Sequence, residues 1–181
     1  MLTRCKWVNL DNLKYVEYHD NEWGVASYDD RYLFEMLVLE SFQAGLSWEC
    51  ILNKREYFKE CFDDFDYEKV ARYNDEKIKM LMNNDKIIRN KLKINATINN
   101  AKIFIDIREK LGSFSNYIWS FTDGKIIKNV DGIFYTHNEL SDKISLDLKK
   151  RGMKFVGSVI IYSYLQAIGI IDDHEIGSFK Y

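Results

Sequence analysis

The stretch DDRYLFEMLVLESFQAG, residues 29–45, decides the fold class of this chain. Its apolar side chains recur at intervals of three and four residues, which places Leu33, Leu37 and Ala44 on one face of an α-helix. Aspartates precede this helix and a glycine follows it, as is typical of helix ends. Glu40 lies on the same apolar face. The stretch therefore predicts a core helix that carries an acidic side chain into the protein interior.

The helical period continues on both sides of this stretch. After a capping Ser47, the stretch WECILNKREYFKECF predicts a second helix. Short helices are expected to begin after Asp66 and after Asp75. Longer ones are expected over residues 89–110, between Ser141 and Gly152, and over SVIIYSYLQAIG. The segment TDGKIIKNVDGIFYT has turn signals and β-branched residues, so it predicts a loop or a short hairpin. Strands and helices do not alternate in the way that indicates a parallel sheet. The expected fold is all-α, in a single domain over residues 1–181.

Composition limits the class of protein further. A chain of 181 residues that is 46% hydrophobic can bury one substantial core. No run approaches the roughly 18 apolar residues of a membrane span, and the start MLTRCKWVNLDN lacks the layout of a secretory signal. Three cysteines without dense spacing fit a reducing compartment, so the expected location is the cytoplasm. The net charge of -2 neither demands nor excludes a nucleic-acid partner.

Glu40 is the first residue that points to a function. A carboxylate on a core-facing stripe loses solvation worth several kcal/mol if it stays unpaired. One interpretation is a buried glutamate satisfied by an arginine or a backbone amide. The other is a pocket carboxylate that awaits a ligand with hydrogen-bond donors, since perturbed acids concentrate at functional sites. The pattern alone leaves both open.

Aromatic residues crowd around the same helix in sequence. They are Trp7, Tyr15, Tyr18, Trp23 and Trp48. Plain core packing is the commoner role for such residues. Two facing rings with a carboxylate at their edge would instead form a slot for a flat, nitrogen-rich heterocycle such as a nucleobase.

A basic turn is the third candidate. Residues 78–94, IKMLMNNDKIIRNKLKI, predict two helices joined by a tight turn, with cations expected on the exposed side at Lys86, Arg89, Lys91 and Lys93. Such a turn can direct backbone N–H groups at a phosphate, and the cations add affinity for the DNA backbone. A solvated basic surface is the alternative interpretation.

Six blocks of the sequence resemble one known family. They are RCKWVNLD, YVEYHDNEWGV, LFEMLVLESFQAGLSWECILNKREYF, IIRNKLKI, IWSF and KKRGMKFVGSVIIYSYLQAIGIIDDHEIG. In register over essentially the whole chain, they are similar to the bacterial DNA-3-methyladenine glycosylase I family. The resemblance implies an all-α helix–hairpin–helix DNA glycosylase fold. It also implies a repair enzyme that flips 3-methyladenine out of alkylated duplex DNA and hydrolyses its N-glycosidic bond, without a lyase step. The expected product is free 3-methyladenine, and the expected state is a monomer.

Two other functions are weighed against this one. The first is a non-catalytic protein that keeps the pocket and binds the alkylated base. The second is a plain helix–hairpin–helix DNA-binding protein with a structural aromatic core.

The resemblance also implies roles for the pocket residues. Glu40 would bind the donor edge of the lesion and assist electrostatically as the base leaves, while water attacks the sugar. Tyr18 and Trp48 would sandwich the ring, and Tyr15 and Trp23 would line the slot. Asp106, which lies about where related glycosylases carry an aspartate, is interpreted as solvated surface.

DNA contacts are implied for two further segments. In QAGLSW, Leu46 would fill the gap left by the flipped nucleotide, and Gln43 would lie near the opposing base. Lys86 and Arg89 would contact DNA from the hairpin. The family has a glycine where this chain has Lys86, so a left-handed turn conformation would cost about 1 kcal/mol here.

A structural zinc ion is the one cofactor that the resemblance implies. The family's ligands match Cys5, His19 and His174, but the fourth position, a cysteine in the family, is Ser178 here. A hydroxyl is a poor zinc ligand. The site is therefore expected either to bind zinc weakly, completed by water, or to hold none, with the histidines hydrogen-bonded to each other or to aspartates. No redox or nucleotide cofactor is expected.

Overall fold

A computed structural model describes residues 2–181. Its elements within that range are α1 Leu13–Asn21, α2 Asp30–Gln43, α3 Trp48–Cys61, α4 Tyr67–Val70, α5 Asp75–Asn83, α6 Lys91–Leu111, α7 Phe114–Ser120, β1 Ile127–Lys128, α8 Glu139–Lys150, α9 Ser158–Ala167 and β2 Ile171–Asp172. The predicted all-α class is confirmed. Over the described residues, no helix has the length and apolar character needed to cross a membrane.

Side-chain caps begin most of these helices. Asp29 and Ser47 accept backbone N–H groups at the starts of α2 and α3, as the sequence predicted for Ser47. Two predicted starts are wrong. Asn74, not Asp75, caps α5, and Asn138 caps α8 three residues before Ser141. Ser141 completes a capping box with Asn138, because its hydroxyl accepts the backbone N–H of the capping residue.

The segment over residues 122–136 is not a hairpin. β1 pairs in parallel with β2, with Ile127 opposite Ile171 and Lys128 opposite Asp172. The partner strand lies more than 40 residues away along the chain, so no local turn signal could indicate it. This pairing attaches the loop that follows β1 to the segment just before the C-terminus.

Helix α2 lies at the centre of the molecule. It packs against α3, α6, α7 and α9, and every residue from Leu33 to Phe42 is buried. The helix is therefore buried all round, rather than on one face as the apolar spacing suggested. As a consequence, it carries two carboxylates, Glu35 and Glu40, into the core.

A close approach of two backbones holds the turn after α1 against the end of α9. Gly24 N–H donates to Gln166 O at 2.9 Å, and Ser27 N–H donates to Ile168 O at 3.0 Å. Gly169 adopts a φ of +75°, and a Cβ at this position would lie 2.2 Å from the carbonyl carbon of Val25. Only glycine fits here. The contact brings Trp23 and Gln166 to the same cavity.

Candidate functional site

An open cavity with about 520 Å³ of empty space lies beside the middle of α2. Every residue that the sequence assigned to a base pocket lines it: Tyr15, Tyr18, Trp23, Glu40 and Trp48. Trp7, the remaining member of the aromatic set, lines it as well. Core packing and a ligand slot are therefore not exclusive alternatives, because buried rings such as Tyr18 also face empty space.

The two carboxylates of α2 have opposite environments. Glu35, which is 5% exposed, accepts a hydrogen bond from Arg55 Nε at 2.7 Å, and Arg55 also pairs with Glu22 at 2.8 Å. Glu40, which is 3% exposed, has a buried Oε2 atom to which no group in the described part of the chain donates. The interpretation of Glu40 as a glutamate satisfied by protein groups is therefore wrong, whereas Glu35, for which no prediction was made, does have such a partner.

Burial has a direct electrostatic effect on Glu40. Loss of solvation raises the pKa of its carboxyl group from 4.5 to about 8. The carboxyl group of the free protein is therefore protonated at neutral pH. A cation that entered the cavity would favour the ionised form and lower this pKa. The site is thus suited to a positively charged or donor-rich ligand.

Tyr18 and Trp48, which the resemblance assigned to a sandwich around the base, lie against each other. Their ring centroids lie 5.2 Å apart with planes tilted by 50°, which is the geometry of two rings in direct contact. The pair instead forms one wall of the cavity, in which Tyr18 is fully buried and Trp48 is half-buried. Trp48 Nε1 is buried and has no partner among residues 2–181, so two residues that line the cavity, Trp48 and Glu40, each hold a buried polar atom without a hydrogen bond.

Sequence reasoning missed three lining residues, Ser163, Gln166 and Phe134. Ser163 and Gln166 were detectable, because they are polar residues three positions apart in the otherwise apolar α9. Gln166 is held in place by Asp173, which accepts its side-chain N–H at 2.6 Å. Phe134 belongs to the loop after β1, and no local signal places it near α2.

The loop between α2 and α3 contains the residues assigned to DNA probing. Gln43 lines the cavity, and Leu46 lies at the loop tip with 39% of its surface exposed. Leu46 N–H donates to Gln43 O at 2.7 Å, and Gly45 has a φ of +82°. The loop therefore forms a tight turn that presents Leu46 to solvent directly beside the cavity.

Lys93 was expected on the exposed side of the basic turn, and this prediction is wrong. It is 6% exposed, and its ammonium group donates to Phe42 O and Ala44 O, both at 2.7 Å. These carbonyls end α2, where a helix has acceptors without intrahelical partners and favours a cation. Lys93 thus attaches the start of α6 to the base of the probing loop.

The turn between α5 and α6 avoids the strain expected from Lys86. Lys86 does not adopt a positive φ angle. The side chain of Asn84 accepts the backbone N–H of Lys86 at 2.9 Å and closes the turn without a glycine. Lys86 and Arg89 are both exposed. Asp106 lies on the surface of α6, as predicted, and its carboxylate pairs there with Lys110 at 2.8 Å.

The predicted zinc ligands lie together where the chain ends meet. His19 and His174 are buried, and their rings are 5.3 Å apart. Each Nδ1 is held by an aspartate, His19 by Asp20 at 2.8 Å and His174 by Asp172 at 2.6 Å. The expected alternative of aspartate-bonded histidines is therefore present. This arrangement also directs both Nε2 atoms inward, as in zinc sites.

The donor set fits zinc only in part. His174 Nε2 is buried and has no partner within residues 2–181, while the backbone N–H of Glu175 donates to the Cys5 thiol at 3.4 Å. However, His19 Nε2 accepts the backbone N–H of Cys5 at 3.4 Å. In the described chain, no three His, Cys, Asp or Glu side chains are arranged to hold a metal ion. Three of the four expected ligands are present, but the described residues do not place them in a ligand geometry.

Comparisons with known proteins find several similar chains. The sequence model of the methyladenine glycosylase family matches residues 7–181. The chain is 42% identical over 187 residues to DNA-3-methyladenine glycosylase 1 of Escherichia coli, covering 99% of this chain and 97% of that protein. A crystal structure of 3-methyladenine DNA glycosylase I matches with a TM-score of 0.94 and 43% identity, over 98% of both chains. A variant of such an enzyme in complex with 3-methyladenine matches with a TM-score of 0.89 and 37% identity, over 93% of this chain and 92% of that one.

Proposed function

The chain belongs to the methyladenine glycosylase family, and from this premise we propose that it hydrolyses the N-glycosidic bond of 3-methyladenine in alkylated DNA. One observation carries the proposal. Glu40 holds a buried, unpartnered carboxyl oxygen inside an aromatic cavity that opens to solvent. Because an unpaired buried acid costs several kcal/mol, its retention is best explained by a ligand that supplies the missing partner.

Recognition rests on complementarity of charge and shape. Alkylation at N3 makes adenine cationic while it is still attached to the sugar. Such a base favours ionised Glu40, which accepts hydrogen bonds from the donor edge of the base. The faces of the base pack against the aromatic walls, which include Tyr15, Trp23 and the touching pair Tyr18 and Trp48. An uncharged adenine does not offset the desolvation of the carboxylate, and this disfavours normal bases.

The chemistry needs little from the protein. The bond between C1′ of the sugar and N9 of the base breaks, and its electron pair moves to the base and neutralises the positive charge. Water adds to C1′ and loses a proton to solvent, which leaves an abasic sugar and free 3-methyladenine. Ionised Glu40 orients the base, and its negative charge stabilises the positive charge that develops on the sugar as the bond breaks, in an environment of low dielectric. No nucleophile from the protein is assigned.

We propose that the substrate is double-stranded, with the lesion flipped into the cavity. Leu46, exposed at the tip of a tight turn beside the cavity, fills the vacated position in the stack, and Gln43 lies near the opposing base. The α5–α6 turn acts as the helix–hairpin–helix element, where exposed Lys86 and Arg89 contact phosphates. These contacts position the duplex and carry no sequence information.

Release of 3-methyladenine from methylated duplex DNA, measured by chromatography, tests the proposed function. Wild-type protein should release the base, and Glu40→Gln should release it about 10-fold more slowly or worse, since hydrogen bonds to a charged group contribute about 1.5–3 kcal/mol. Tight binding of methylated DNA without release would indicate a non-catalytic lesion binder. Equal affinity for methylated and unmethylated DNA would indicate a plain DNA-binding protein.

We also propose that Cys5, His19 and His174 bind a structural zinc ion weakly, after His19 gives up its contact with the Cys5 backbone. The support is the inward Nε2 of His174 and the chemistry of the donor set. Metal analysis of protein purified without chelator should find substoichiometric zinc. Ser178→Cys, which supplies a fourth ligand as a second thiolate, should retain one zinc ion per chain and raise the melting temperature. A metal-free Ser178→Cys variant would contradict the proposal.

A monomeric state and a cytoplasmic location stay predictions. Light scattering of the purified protein tests the first, and fractionation of cells that produce it tests the second.

A further inference from the structure

Phe134 differs from the other residues that line the cavity. It is 80% exposed, whereas Tyr18, Trp23 and Glu40 on the inner walls are all buried. A phenylalanine side chain in water forgoes the stabilisation of about 1.5–3 kcal/mol that burial would bring. An exposed aromatic ring at the rim of an aromatic cavity therefore has a surface that is available to a ligand.

The loop that carries Phe134 is organised by its own hydrogen bonds. Asn129 Nδ2 donates to Ile133 O at 2.8 Å, and the backbone N–H of Ile133 donates to Asp131 Oδ1 at 2.8 Å. The hydroxyl of Tyr135 donates to Asp131 Oδ2 at 2.7 Å. These bonds fix the residues that precede and follow Phe134 in the chain. The position of Phe134 at the rim is thus set by the loop and does not depend on contacts of its own ring.

The base of the loop is anchored to the segment that holds the pocket. Asn129 N–H donates to Asp172 O at 2.9 Å, which continues the pairing of β1 with β2. Asp173, the next residue, accepts the hydrogen bond from Gln166 on the cavity wall. Phe134 also lines a second cavity, together with Ile133 and Glu175. Phe134 therefore stands as a partition between two cavities, with room to adjust to an incoming ring.

We propose that Phe134 is the outer wall of the base pocket and packs against the base once it has entered. This inference rests on the proposed function. It assigns to the exposed end of the cavity an aromatic contact that adds to those of the inner walls. Stacking on the π-face of a base is the chemistry that suits a ring at this position.

The test measures the dissociation constant of free 3-methyladenine for the full-length protein, by quenching of tryptophan fluorescence. Phe134→Ala should weaken binding about 5- to 10-fold, the lower part of the range for loss of one base–aromatic stack. Phe134→Tyr, which keeps the ring, should restore the wild-type constant. Ile133→Ala is the matched control, because Ile133 is an exposed apolar residue of the same loop that does not line the base cavity. It should leave the constant unchanged.

Equal constants for Phe134→Ala and Ile133→Ala would overturn the inference, as would failure of Phe134→Tyr to restore binding. This result differs from failure of the proposed function. If wild-type protein released no 3-methyladenine from methylated DNA, the function would be wrong whatever the Phe134 variants showed. If wild type released the base and Phe134→Ala bound it normally, only the role of Phe134 would be wrong.

Discussion

Replacing Glu40 with glutamine should remove a pH-dependent cost that the wild-type protein carries. Raising the pKa of this carboxyl group from 4.5 to about 8 by burial corresponds to about 5 kcal/mol. Below pH 4.5 the group is protonated in both the folded and the unfolded chain. Above that pH the unfolded chain ionises while the folded protein keeps its proton. The free energy of unfolding should therefore fall by about 1.4 kcal/mol per pH unit until pH reaches about 8.

Urea unfolding of both proteins at pH 5, 6, 7, 8 and 9 measures this effect. By pH 7 the wild type should have lost about 3 kcal/mol of stability relative to Glu40→Gln, counted from their difference at low pH. The change of the difference with pH is the quantity to compare. The absolute difference in stability between the two proteins also contains the cost of burying the new amide group. The contributions of all other titrating groups are the same in both proteins, so they cancel in the difference.

Glu35→Gln is the matched control on the same helix. Arg55 pairs with both Glu35 and Glu22, so replacing Glu35 removes one of the two partners of this guanidinium group and should destabilise the protein by about 1.5–3 kcal/mol. If at pH 8 the change in the free energy of unfolding has opposite signs for Glu40→Gln and Glu35→Gln, the measurement shows which carboxylate has a partner. Parallel stability curves for wild type and Glu40→Gln across this pH range would refute the reasoning, because Glu40 would then be compensated within the folded protein.

Three further predictions concern activity and packing. For wild-type protein, kcat/KM for release of 3-methyladenine should rise with pH and level off above about 8, because the ionised form of Glu40 binds the cationic base. A kcat/KM that does not change with pH in the wild type would contradict this prediction. Leu46→Ala should slow single-turnover release from duplex DNA about 10-fold, from the lost apolar contact, while the affinity for free 3-methyladenine stays unchanged; equal losses in both measurements would argue against a role on DNA alone. Gly169→Ala should lower the free energy of unfolding by about 3 kcal/mol or more, because its Cβ would collide with Val25, whereas Gly177→Ala has open space and should cost only about 1 kcal/mol. Urea denaturation of both glycine variants compares these costs, and equal values would show that the turn relaxes.

The sequence by itself determined most of the helices, though not α1 and α7, and the members of the pocket around Glu40. Helix starts such as Ser47 and the glycine that ends α6 follow from hydrogen bonding and backbone conformation within a few residues, so local patterns suffice. The blocks shared with a known family carried the remaining information. They identified Glu40, Tyr18 and Trp48 as neighbours before any distance was known.

Tertiary structure alone decided how these residues are used. Glu35 and Glu40 have the same kind of local sequence, and they differ only because Arg55 on α3 reaches one of them and not the other. The local sequence predicts Lys93 as a surface cation, but the end of α2 supplies two carbonyl acceptors that hold its ammonium group in the interior. Phe134 joined the pocket through a strand pairing with a distant segment. Each outcome depends on contacts between residues far apart in the chain, and local propensity does not specify such contacts.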